Sequence, residues 1–155
     1  MKRILLSALL TIVAGQTSNA EVCQNLRENQ VLFYYYHSMA TNEVESTSRL
    51  ASTDTHGLEE GKVMMDLNIC LGLGNLEQKT ARFIESADKF GRCKEVIITD
   101  KKFLDLGGMV IKAQMFCSPN VKNESRYRDN KALLETLNDL SISMDEIHNE
   151  LHQQK

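Results

Sequence analysis

Four cysteines, Cys23, Cys70, Cys93 and Cys117, constrain this chain more than any other feature, and their meaning turns on the segment in front of them. Lys2 and Arg3 are followed by an apolar run from Ile4 to Ala14, interrupted only by Ser7 and Thr11, and then by the small residues Ser18 and Ala20. That is the order of a secretory signal peptide over residues 1–20, with cleavage before Glu21. The run is too short for a transmembrane helix, which takes about 20 apolar residues, and no later stretch reaches that length. Glu21 and Val22 stand where a lipidated cysteine takes small residues, so a lipoprotein anchor on Cys23 is not expected.

An even number of cysteines behind an export signal predicts two disulfides in an oxidising compartment, a bacterial periplasm by preference or the cell exterior. In a eukaryotic secreted protein, Asn123-Glu124-Ser125 would also be a glycosylation acceptor. Cleavage alters the charge as well. It removes 20 of 155 residues and two of 18 basic side chains while leaving all 21 acidic ones, so the formal charge moves from −3 to −5. A surface of that sign excludes general binding of nucleic acid. The remaining length is that of one domain.

The pattern along residues 21–155 is mostly α, a single helical domain of about five helices. Val22 to Met39 carries Leu26, Val31, Leu32 and Phe33 and reads as the first helix, and the Ser/Thr-rich stretch Ser46–Gly57 reads as a loop. Leu58 to Leu73 is the second helix, ended by Gly72-Leu73-Gly74-Asn75 as glycines end helices. Asn75 then caps a third helix to Arg92, with Leu76, Thr80, Phe83, Ile84, Ala87 and Phe90 at helical spacings. Val96-Ile97-Ile98-Thr99 is β-branched and predicts a short extended segment over 94–100. Asp100 caps a fourth helix to Cys117, weakened by Gly107-Gly108 at about 1 kcal/mol each. Ser118–Asp129 is a polar loop.

The terminal amphipathic helix, 130–152, is the most regular element. Leu133, Leu137, Leu140, Met144, Ile147 and Leu151 recur at alternating spacings of four and three, an a/d seam of nearly three heptads, which Leu134 and Ile142 widen. Such a seam serves either the chain's own bundle core or self-association through 133–151.

Helix order suggests how the cysteines pair. With the first two helices antiparallel, Cys23 and Cys70 fall at one end, and an extended 94–100, at about 3.3 Å per residue, returns the chain so that Cys117 meets Cys93. Cys70 with Cys93 fits worse, because about 22 Å of helix separates them where a disulfide needs α-carbons within about 7 Å. The expected bridges are therefore Cys23–Cys70 and Cys93–Cys117.

Catalytic chemistry finds little support in the motifs. No CxxC supplies a reactive thiolate, and the cysteine spacings do not form a zinc site, so no metal or cofactor is expected. His148 and His152 share a helix face, but His148-Asn149-Glu150-Leu151-His152 places its glutamate one position too late for HExxH, and solvated terminal histidines are expected. Gly72-Leu73-Gly74 has Glu77 where a dinucleotide fingerprint needs glycine. Acidic residues such as Glu59, Glu60 and Asp66 read as helix surface, with Glu59 and Lys62 a surface ion pair.

Phe33-Tyr34-Tyr35-Tyr36-His37 is different. Five successive helical residues cover the whole circumference, so they cannot all face one core, and displayed tyrosines suit a protein partner. The resulting expectation is an exported, non-enzymatic protein-binding module contacting its partner through Tyr34, Tyr35, Tyr36 and His37. The alternatives are a small-ligand or lipid binder with an interhelical pocket lined by Met64, Met65 and Met109, and, third, an unrecognised hydrolase using His37 and scattered acids.

Overall fold

The computed structural model describes residues 23, 25–53, 59–117 and 130–153. The expected leader, residues 54–57 and 118–129 of the two expected loops, the Asn123 position, and the side chains of Glu59, Glu60 and Lys62 lie outside the described residues. Four α-helices are present among the described residues: α1 (Leu26–Ser52), α2 (Glu59–Cys93), α3 (Asp100–Gln114), followed by a 3₁₀ turn (Met115–Cys117), and α4 (Asn130–Gln153).

The helices form an up-down-up-down bundle. Phe33 near the start of α1 stacks on Phe90 near the end of α2, Lys102 of α3 pairs with Glu150 of α4, and the Asn130 amide at the start of α4 donates to Ala51 O at the end of α1. Each contact joins the early part of one helix to the late part of its neighbour, which makes adjacent helices antiparallel. The core follows the 3–4 spacing of a bundle seam: Phe33, Ala40, Val44, Thr47 and Ala51 from α1, Leu106, Val110 and Ala113 from α3, and the whole α4 seam. Leu133 through Leu151 are buried in the chain's own core, so self-association through 133–151 is corrected to intramolecular packing.

Two expected boundaries dissolve. α1 runs 13 residues past Met39, because Val44, Thr47 and Ala51 keep facing the core. Two of its serines satisfy themselves locally: the Ser46 hydroxyl donates to Glu43 O and the Ser52 hydroxyl to Arg49 O. The expected second and third helices are a single 35-residue α2. Ile69, Leu73, Leu76, Thr80, Phe83, Ala87 and Phe90 are all buried at alternating spacings of four and three, and that seam carries the helix through both glycines. Gly72 is a packing residue, since a Cβ there would lie 2.6 Å from Thr47 Oγ1.

α2 ends in a Schellman turn. Val96 N–H donates to Gly91 O at 2.9 Å and Glu95 N–H to Arg92 O at 3.3 Å, with Glu95 in the left-handed region at φ 59°. A Cβ on Gly91 would meet Val96 O at 2.8 Å, so the fold-back needs glycine there. Beyond it, Val96 and Ile98 point inward while Ile97 is 90 % exposed, the alternation of an extended connector with no strand partner among the described residues. Thr99 occupies the N-cap position of α3 and Asp100 is its first residue, so the helix begins one residue earlier than expected.

The continuous α2 also corrects the disulfides. Cys23 pairs with Cys93 (Cα–Cα 5.0 Å) and Cys70 with Cys117 (5.6 Å), in place of Cys23–Cys70 and Cys93–Cys117. With no break at Gly72–Gly74, Cys70 lies in the middle of α2 and Cys93 at its end, about 34 Å along the axis. The end of α2 lies beside the start of α1, where Cys23 is. α3 runs back along α2 and delivers Cys117 to Cys70. The bridges therefore tie α1 to α2 at one end of the bundle and α3 to the middle of α2.

Candidate functional site

The Phe33–His37 segment occupies the N-terminal half of α1, and helical geometry distributes its five side chains around the axis as the sequence requires. Phe33 is fully buried and stacks at 5.3 Å on Phe90, 5.8 Å on Phe83 and 5.5 Å on His148. Tyr34 and His37 turn toward α4. Tyr36 turns toward α2, and Tyr35 remains 54 % exposed. The four candidate contact residues are thus split between two surfaces.

The first surface is a seam between α1 and α4. His37 Nε2 lies 3.0 Å from Asp145 Oδ1. The carboxylate only accepts, so Nε2 carries the proton. The His37 and His148 rings stack at 4.3 Å, and His152 continues the row, 5.9 Å from His148 and 8° from parallel. Tyr34 stands edge-on to His148 and places its hydroxyl 2.7 Å from His152 Nδ1. The expectation of merely solvated terminal histidines is therefore corrected: His148 is half-buried, and His152, though exposed, is bonded to Tyr34. Burial pushes the His37 imidazole below its ordinary pKa against the opposing pull of Asp145. Burial also lowers His148, and the neighbouring His37 and His152 lower it further.

Chemically, the seam holds two neutral imidazoles in contact and one histidine–carboxylate pair. Tyr34 supplies the hydroxyl that meets a ring nitrogen among the described residues, and it meets His152 rather than His37. No group of three or more His, Cys, Asp or Glu is arranged to hold a metal among the described residues. His37 fills the heptad position between Phe33 and Ala40, a register that marks it as inward-facing. The partnership with Asp145, His148 and His152 depends on the pairing of helices distant in sequence.

The second surface is the outer side of α1. Val31 is 60 % and Leu32 38 % exposed, and together with Tyr35 they follow the i, i+1, i+4 pattern of one helix face. Tyr35 and Tyr36 meet edge to face at 5.2 Å. Tyr36, Leu32 and Asn29 form one wall of a shallow cleft of about 200 Å³ whose other wall is Arg82, Glu85, Ser86 and Lys89 of α2. Glu85 accepts from Lys89 at 2.8 Å and from Arg82 at 3.2 Å, and chiefly the Lys89 bond holds its carboxyl below the usual range. An aromatic and aliphatic ridge thus borders a charged cleft.

The methionines are dispersed: Met64 is exposed on α2, while Met65 and Met109 pack, partly buried, against the core. None of the three lines the cleft described above. No described helix is long and apolar enough to cross a membrane. Comparison of the chain with known protein families, with curated proteins and with solved structures gives no match.

Proposed function

We propose that the chain is an exported, non-enzymatic protein-binding module that acts in the periplasm or outside the cell and engages its partner through the outer face of α1. The observation that carries this reading is the exposed Val31–Leu32–Tyr35 ridge beside the Tyr36 cleft. Tyrosine combines large apolar area, a hydroxyl and few rotatable bonds, which is why it recurs among residues that dominate binding energy. Arg82 and Lys89 add a polar rim of the kind that surrounds an apolar interface centre. The two disulfides fit an oxidising compartment.

The test is affinity capture from the source organism's cell envelope with the leaderless, oxidised chain as bait. One stoichiometric protein, retained by the parent bait and by Ile97→Ala but lost with Tyr35→Ala, supports the proposal. A co-purifying small molecule in native mass spectrometry, with no protein dependent on Tyr35, overturns it.

A further inference from the structure

The outer face of α3 and the first residue of its 3₁₀ turn carry large apolar side chains that the chain's own fold leaves uncovered. Leu104 is 71 %, Ile111 64 % and Met115 42 % exposed, and with exposed Gly108 they recur at spacings of four, three and four, a seam facing away from the core. Gly108 is not required by the monomer. A Cβ built on it meets nothing within 4 Å, although glycine inside a helix costs about 1 kcal/mol relative to alanine. Glycine at such a seam lets a second helix backbone approach closely.

The charges beside the seam select the second helix. Asp105 and Lys112 are exposed on one flank, one heptad apart. In an antiparallel pair of identical α3 helices, Leu104 packs opposite Met115 and Gly108 opposite Ile111. Each Asp105 then faces the Lys112 of the other copy, twice by symmetry. A parallel pair would set Lys112 against Gly107 and leave these charges unpaired. On the other flank, Gln114 donates to Glu77 of α2 at 2.6 Å, which fixes α2 beside α3.

We infer that the outer face of α3 is a two-fold interface for a second copy of this chain, centred on antiparallel α3 helices. It lies apart from the α1 ridge and stands whether or not that ridge binds a partner.

Sedimentation of the leaderless, oxidised chain from about 1 to 100 micromolar tests this, over the range of weak to moderate protein association. A dimer is expected, weakened about tenfold or more by Ile111→Lys. Asp105→Lys weakens it less, and the exchange Asp105→Lys with Lys112→Asp restores it. Gly108→Ala separates the interface from folding, since it raises thermal stability and weakens the dimer. A chain that is monomeric throughout overturns the inference, as does a dimer whose dissociation constant is indifferent to Ile111→Lys and to the charge exchange. A monomer that binds vesicles or a foreign protein through Ile111 overturns it equally.

Discussion

The imidazoles of His37 and His148 lie 4.3 Å apart and 18° from parallel, one from the first helix and one from the last. The pair faces Asp145, His152 and Asn149 on α4, Tyr34 on α1 and Phe83 on α2. Both histidines titrate below the ordinary value of 6.5 because burial disfavours their charged form.

This gives the pH dependence its sign. Above about pH 6.5 both rings are neutral in the folded and the unfolded chain, so they do not tilt the balance. As pH falls below 6.5 the unfolded chain takes up protons that the folded chain refuses, and stability declines until the lower folded pKa values are passed. The midpoint of thermal unfolding is expected to drop between pH 7.5 and 5.5, and His148→Gln should flatten that slope. Glu85 acts in a separate, more acidic window, because its carboxyl is held below its ordinary 4.5 and its contribution is lost only as pH falls through the folded value. Circular-dichroism melts across the pH series distinguish the two.

The bridges give a second prediction. Non-reducing peptide mapping should link Cys23 with Cys93 and Cys70 with Cys117. Each closes a loop long enough to restrict the unfolded chain by about 4 kcal/mol in chain entropy. The double substitution Cys70→Ser, Cys117→Ser should cost roughly 2–4 kcal/mol in urea unfolding.

The glycines of α2 separate by position. Gly72→Ala drives a methyl into Thr47 and should destabilise by about 1–3 kcal/mol. Gly74→Ala, where a Cβ meets nothing within 4 Å, should stabilise by about 0.5–1 kcal/mol. Opposite signs two residues apart, read from melts of the two variants, distinguish a continuous α2 from a helix broken at this point.

Within the core, the hydroxyls of Thr47 and Thr80 are buried without a hydrogen-bond partner among the described residues. Thr80→Val removes an unsatisfied oxygen while keeping the shape, and should raise stability by about 1 kcal/mol. Leu140→Ala, at a fully buried position, should cost about 2–5 kcal/mol. Ile97→Ala, on an exposed residue, should change stability by no more than about 0.5 kcal/mol.

The helical class, the existence of the α4 seam and the dispersal of Phe33 to His37 around one helix follow directly from residue spacing, whereas the seam's burial in the chain's own core does not. The pairing of cysteines did not. Gly72 and Gly74 read locally as a helix end, while the run from Ile69 to Phe90 passes unbroken through them, and burial of that run outweighs the helix propensity lost at two glycines. Once α2 is taken as continuous, Cys70 and Cys93 can no longer sit at opposite helix ends, and the bridges rearrange. The same logic holds at Ser46–Ser52, where Thr47 and Ala51 extend the α1 seam through a polar stretch. The histidine row was hidden for a different reason: His37 and His148 are 111 positions apart and meet through the antiparallel packing of α1 on α4.

The most direct measurement of the proposed function is site-specific photocrosslinking in the source cells, with a benzophenone side chain at position 35 and, as reference, at position 97. A discrete heteromeric adduct from position 35 and none from position 97 is expected, since Tyr35 lies on the α1 ridge and Ile97 on the α2–α3 connector. No adduct from position 35, or the same adducts from both positions, contradicts a partner surface on α1.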